Sequence, residues 1–295
     1  MRIALIQTQQ NKLYNFLDPE QRLCFEEAKV LQKDMINQTI SLMEEAIVKG
    51  CDLLVTTEAI NFAGQPHTFE ELKNQTSIGE MYQQYAELIP TEEDSIILEL
   101  SNLAKKGHCY MVVGMYLKHK VENSYCMTNS AIVFSPEGKV LDIYDKIHLA
   151  GSENDYLKVG KRYVSIESEF GKIGVLICFD AQFPEAYREL TLQGCDLIVC
   201  STWGWEQIYG HARAYENGVY VAAAMAVPYW GPIEGLRTPS EIVAPDGRVI
   251  ARGSYCEAGI ILAEVKIDDC REERKQRLSL RRPLTYQSLN KEYIS

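Results

Sequence analysis

No stretch of this chain is apolar for long enough to cross a bilayer: hydrophobic segments are short and broken by charges, well below the ~20 residues a membrane helix needs. The opening MRIALIQTQQ lacks the cationic stretch, apolar core and cleavage site of a signal peptide and reads as a first strand, so a cytoplasmic protein is expected. Positive charge is scarce. A formal net charge of −11 argues against nucleic acid or an anionic membrane as a partner, because phosphate contacts need clustered Lys and Arg. The basic segment 271–282, REERKQRLSLRR, is interrupted by acids and reads as a solvated face. Regular cysteine spacing is missing too. Nine cysteines, an odd number without pattern, fit free thiols in a reducing compartment better than a disulfide framework. Cys51, Cys109, Cys126, Cys195 and Cys200 lie in or beside strand-like runs and read as small buried hydrophobes. Several catalytic signatures are absent: the G-x-S-x-G elbow, H-E-x-x-H, a close cysteine pair for zinc, the P-loop and G-x-G-x-x-G. Chemistry without a metal or cofactor is the simplest expectation.

Apolar strands recurring with helical segments, and no repeat or linker, fill the chain. Residues 2–8 read as a strand, 19–49 as one long amphipathic helix ended by Gly50, and CDLLVTT (51–57) as a buried strand. Helices are expected at 79–88 and 92–106, the second capped by Thr91 with Asp94 in its first turn. Strands follow near 109–117, 125–134 and 139–145, the last two joined by the S-P-E-G turn. The second half places strands at 172–178, 195–201, 219–226 and 259–266, with helices from about Pro184 to Gln193 and near 206–217. A hairpin turns at Pro245-Asp246-Gly247, and a last helix closes the chain. Near-continuous apolar strands such as KIGVLIC and CDLIVC imply sheets covered on both faces, and the hairpins imply mixed sheets. One α/β domain over residues 1–295, with two mixed sheets inside helical layers, accommodates the pattern.

Three reactive residues stand at carboxyl ends of these strands: Glu58 after 51–57, Lys146 after 139–145 and Cys178 after 172–177. Ligand sites in α/β sheets form there, because side chains leave the core while the backbone stays fixed. Cys178 supplies a nucleophile, and the turn into the helix at Pro184 is expected to aim backbone N–H groups at its sulfur and favour the thiolate. Glu58 supplies a base that becomes an acid, and Lys146 a cation for a developing oxyanion. Each residue alone has a bland reading: a loop acid, a surface lysine, a core cysteine. A Cys–His pairing through His148 stays open as a rival. Trp203 and Trp205, after strand 195–201, and Tyr229 and Trp230, after strand 219–226, either wall a pocket or pack the core. Glu234, in the loop after Trp230, is a candidate contact for a cationic substrate.

With these residues in place, the chain resembles the nitrilase superfamily of carbon–nitrogen hydrolases. The resemblance rests on TTEA around Glu58, YDKIHL around Lys146 and GVLICFDAQFPEAYREL around Cys178. It continues through ARAYENGVYVAAA (212–224), APDGRVIARG (244–253) and RRPLTY (281–286), nearly the whole chain in the family's order. Thr57 stands where the family usually has proline. The resemblance implies a four-layer αββα sandwich and a Glu-Lys-Cys triad at Glu58, Lys146 and Cys178. ENDYLKVG resembles the family's E-x-x-Y-F-x-x-G, which implies a second, substrate-positioning glutamate at Glu153. The Phe179 N–H would share the oxyanion with Lys146. Nitrilases proper carry tryptophan and a Glu-Asn pair after the cysteine. Phe179-Asp180 and F-P-E are instead similar to amidases and N-carbamoyl hydrolases. N-carbamoyl-amino-acid hydrolases often place arginine shortly after that aspartate; Ala181 and Gln182 stand here, and Gln182 cannot clamp a carboxylate as an arginine does. Arg188, Arg213 and Arg237 are candidates to compensate. The implied activity is cysteine-dependent hydrolysis of a small amide or ureido compound with release of ammonia. Nitrile hydrolysis, acyl transfer to an amine and a non-catalytic binding role are the alternatives. A homodimer or larger homo-oligomer is implied, with the C-terminal helix and tail, about 268–295, in the interface.

Overall fold

Alternation along the strands sorts their side chains into two cores. In the computed structural model, which describes residues 1–11, 25–62, 87–122, 124–151, 153–228 and 237–291, strand β1 (Arg2–Gln7) is buried on both faces. Ile3 and Leu5 join the core between the sheets, while Ala4 and Ile6 join a second core under helices. A strand buried on both sides must be apolar at every position, which explains the unbroken runs in the sequence.

The strands form two sheets of six. The first runs β12 (Gly259–Glu264), β1, β2 (Leu53–Val55), β3 (Tyr110–Val121), β4 (Ser124–Phe134) and β5 (Val140–Asp145). Its β1, β2 and β3 are parallel, and the outer pairings are antiparallel. The second runs β11 (Val249–Arg252), β10 (Glu241–Val243), β9 (Tyr220–Met225), β8 (Leu197–Thr202), β7 (Gly171–Ile177) and β6 (Val164–Ser168), with β7, β8 and β9 parallel. Helices α1 (Phe25–Val48) and α2 (Ser95–Gly107) cover the first sheet through Met43, Ala46, Ile97 and Leu100. Helices α4 (Pro184–Leu192) and α5 (Gln207–Asn217) cover the second through Ala186, Leu190 and Ala214, and short α3 (Glu153–Tyr156) lies between β5 and β6 in sequence. The result is the αββα sandwich expected from the sequence, and each fully buried Leu or Ile contributes about 1.5–3 kcal/mol to it.

Several local expectations change. Strand β6 went unread because five residues with only two apolar positions, Val164 and Ile166, give a short signal, although these alternate as an edge strand's do. Asp94 rather than Thr91 occupies the N-cap of α2, and its carboxylate reaches back to the Thr91 N–H at 2.5 Å. Cys126 is half-buried rather than core. The basic C-terminal segment is only partly a solvated face. Within α6 (Asp268–Ser279), Arg274 turns inward to Asp196 Oδ1 at 2.6 Å and Arg271 reaches the same oxygen at 3.4 Å. The expected helix at 79–88 lies almost wholly outside the described residues, as do Tyr229, Trp230 and Glu234. No helix among the described residues is long and apolar enough to cross a membrane.

Candidate active site

The site grows out of the face on which the two sheets meet. On β4 the inward positions run Val133, Ala131, Asn129, and on β5 they run Tyr144, then Lys146 just past the strand end. The Lys146 N–H donates to the Asn129 carbonyl at 2.8 Å, so the two side chains sit side by side where the apolar face ends. Glu58 arrives from β2 by a less direct route than its sequence position suggests. That strand stops at Val55, and three further residues carry the chain over β3. The crossing needs Gly114, where a Cβ would lie 2.5 Å from the Thr57 carbonyl oxygen and 2.9 Å from the Glu58 Cα. Asn61 then clamps the loop to β3, donating to the Tyr116 carbonyl at 2.9 Å and accepting its N–H at 2.8 Å. Gly160 plays a similar part behind Lys146. Its N–H donates to the Lys146 carbonyl at 2.9 Å, and a Cβ there would overlap the Asp145 carbonyl.

From the facing sheet, β7 ends at Ile177 and Cys178 begins a 3-10 turn over Cys178–Gln182. Cys178 holds φ at +43°, as does Ala59 beside Glu58. Left-handed backbone at non-glycine residues costs of order 1 kcal/mol or more and persists only when its surroundings enforce it. For Cys178 the enforcement is Asp180, fully buried two residues on. Its Oδ2 accepts the Ile177 N–H at 3.0 Å and the Tyr144 hydroxyl at 2.7 Å. Its Oδ1 accepts the His148 N–H at 3.0 Å and faces His148 Nδ1 at 2.7 Å. One carboxylate therefore ties the cysteine turn to the loop that follows Lys146. His148 pairs through Nδ1 with Asp180 and stacks on Phe183 at 3.7 Å, while the charged groups that act on the Cys178 thiol are Glu58 and Lys146.

Lys146 and Glu58 are each 1% exposed. The ammonium donates to Glu58 Oε1 and to Glu153 Oε2, both at 2.8 Å. Asn129 Nδ2 closes a ring by donating to Glu58 Oε1 and Glu153 Oε1, both at 2.7 Å. Glu153 Oε2 also accepts the Ala150 N–H at 2.7 Å, and Glu58 Oε2 accepts the Trp203 N–H at 3.1 Å. Burial pushes the Glu58 carboxyl above its ordinary value; Lys146 pulls it down, and Glu153 adds to the rise. Burial also opposes the Lys146 ammonium, but Glu58, Glu153 and the Cys178 sulfur outweigh it and hold the charge on the lysine. The Cys178 thiol is pushed up to about 12, by burial first and by the Glu58 carboxylate second, with Lys146 acting the other way. The expected thiolate is therefore not the resting form. The 3-10 turn separates the sulfur from the N-terminus of α4, and desolvation outweighs what its donors supply. Glu58 and the thiol act on each other's acidity, so the carboxylate lies near enough to serve as the proton's acceptor.

The remaining predicted residues divide. Trp203 lies beside the site, its ring edge-on to Phe62 at 4.8 Å, and Phe62 in turn meets Tyr116 at 5.8 Å. Trp205 is core, its indole N–H held by Glu241 Oε1 at 2.8 Å. Phe179 packs edge-on to Phe183 at 5.5 Å. Gln182 is exposed, and its carbonyl accepts from Arg213 Nη2 at 3.2 Å. Arg213 also pairs with Glu216, and Arg188 donates to the Glu216 carbonyl, so neither substitutes for a carboxylate clamp at position 182. Asn129 went unread in the sequence. Its signal was an amide in the inward register of a buried strand, among Ala131 and Val133.

Comparison with known proteins agrees with this fold. The profile of the family described as carbon-nitrogen hydrolase matches residues 2–275, and the chain belongs to that family. The Schizosaccharomyces pombe protein named "Probable nitrilase C965.09" is 34% identical over 206 residues, 67% of this chain and 73% of the relative. Omega-amidase NIT2-B of Xenopus laevis is 29% identical over 270 residues, 83% and 88% of the two chains. Among solved structures, a carbon–nitrogen hydrolase from Helicobacter pylori G27 superposes with a TM-score of 0.72 at 20% identity, over 99% of this chain and 98% of that one. At that identity the likeness concerns the fold.

Proposed function

We propose that this enzyme hydrolyses a small amide or ureido compound through a thioester on Cys178, with Glu58, Lys146 and Glu153 as its partners. The observation that carries the reading is the buried ring of Glu58, Lys146 and Glu153 against a thiol held at φ +43°. Sγ attacks the carbonyl carbon while the thiol proton passes to Glu58. Lys146 and the Phe179 N–H stabilise the oxyanion, and Glu153 orients the amide nitrogen. The intermediate collapses, ammonia leaves with the proton from Glu58, and a thioester remains. Water then attacks the thioester, giving its proton to Glu58, and the acid departs as the thiol is restored. With a ureido substrate the same steps leave a carbamate, which loses carbon dioxide.

Amide hydrolysis is preferred to nitrile hydrolysis because Phe179-Asp180 replaces the nitrilase pattern and because several relatives are named omega-amidases. The apolar cluster of Phe62, Tyr116, Leu149 and Leu157 beside the site supports an uncharged acyl portion. A cytoplasmic setting belongs to the same reading, with the described cysteines all free. So does a homo-oligomer, whose contact surface we assign to exposed Leu280, Leu284 and Leu289 in the C-terminal tail. A panel of amides, ureido compounds and nitriles, assayed for ammonia with Cys178→Ala as control, tests the function. No ammonia from any of them would sink it, as would release that survives in the variant.

A further inference from the structure

The Glu58 carboxylate has more hydrogen bonds than a general base needs, and their distribution between its two oxygens is uneven. Oε1 accepts from Lys146 Nζ at 2.8 Å and from Asn129 Nδ2 at 2.7 Å. A carboxylate oxygen has two in-plane lone pairs, so Oε1 is saturated. Oε2 accepts one N–H, from Trp203 at 3.1 Å, and keeps one lone pair. We propose that Asn129 is a positioning residue that steers the Cys178 proton onto Glu58 Oε2, by filling the last acceptor site on Oε1 and bridging Glu58 to Glu153. This deepens the proposed hydrolase reading and rests on it.

The orientation of the amide supports the assignment. Both Nδ2 hydrogens are used, one on each carboxylate. The reverse orientation would set Oδ1 against two carboxylate oxygens, so the ring itself fixes which end faces the acids. Asn129 is 0% exposed, and its Oδ1 has no hydrogen-bond partner among the described residues. A buried unpaired carbonyl is unfavourable, and an aliphatic side chain of similar size would avoid it. The position is therefore occupied by an amide for its donors. Lys146 alone cannot do this work. It offers one hydrogen to each glutamate, and without Asn129 the second lone pair of Oε1 would compete with Oε2 for the thiol proton.

The groups that face Glu58 are Lys146 beyond β5, Glu153 on α3, Cys178 beyond β7, Cys200 on β8 and Tyr116 on β3. Only Lys146 is cationic. Removing the neutral donor leaves two carboxylates around one ammonium, so Glu58 must hold its proton to higher pH. The test measures the rate of Cys178 alkylation by iodoacetamide against pH in the wild-type enzyme, Asn129→Leu and Asn129→Asp. The pH profile of kcat/KM is recorded beside it. The expected result is an acid limb moved upward by about one pH unit or more in both variants, in both profiles, with kcat falling further than KM rises. An acid limb unmoved in folded variants, whatever the loss of rate, would overturn the proposal. Failure of both variants to fold would also overturn it, because Asn129 would then be a stability residue. Alkylation needs no substrate, so a wild-type enzyme that releases no ammonia refutes the proposed hydrolysis without deciding this assignment.

Discussion

At the scale of single residues, the site holds a net negative charge in a place where water cannot screen it, and this has opposite consequences for its members. Lys146 is the one cation between two buried carboxylates, so Lys146→Met should cost about 3–5 kcal/mol in urea denaturation besides abolishing turnover. Glu58→Gln should do the reverse to stability. A carboxyl whose folded value lies above its unfolded one weakens the fold as pH rises through the ordinary carboxylate range and beyond. Removing that charge should raise Tm at pH 7, with the gain shrinking toward acid pH, while the rate falls by about 10²–10⁴-fold. A Tm difference that does not vary with pH would contradict the assignment of strain to Glu58. Cys178, Lys146 and Glu58 were legible in the sequence because each follows a segment that reads as a strand. The resting protonation of the thiol was not, since burial from two sheets outweighs the helix end that sequence order suggested.

At the scale of elements, the site depends on places where backbone passes backbone. Gly114 is one: in Gly114→Ala the Cβ meets the Thr57 carbonyl, the Glu58 Cα and the Ser201 Cβ, and the Glu58 loop must shift. A displacement of about 1 Å at a reacting group lowers rate roughly 10²-fold, so kcat of Gly114→Ala should fall far more than its stability. Unchanged kcat would mean that the loop can adapt. Asp180 is the other such place, the tie between the Cys178 turn and the Lys146 loop. Asp180→Asn replaces one acceptor with a donor that faces donors, and both Tm and kcat should drop while KM changes little. A single glycine in VVGMY gives no sign from sequence that another strand's loop lies on it. Strand ends are visible in a sequence; crossings between strands distant in the chain are not.

At the scale of the whole molecule, two half-sites on two sheets must meet, and the inter-sheet core from Ile3 to Ile267 holds them in register. The sandwich was readable from runs apolar at every position. The edge strand β6 and the inward-turned Arg274 of α6 were not, because polar residues in a sequence do not declare which face they take. Arg274→Ala should loosen α6 from Asp196, lowering stability by about 2 kcal/mol in urea denaturation without changing kcat/KM. The central claim is that one thiol among nine cysteines carries the chemistry. Its most direct test is the intact mass of enzyme quenched by acid during turnover of an amide, followed by peptide mapping. The account predicts an adduct of the acyl mass on Cys178, missing in Cys178→Ala along with ammonia release. Turnover without any adduct in Cys178→Ala, or an adduct on another cysteine, would contradict it.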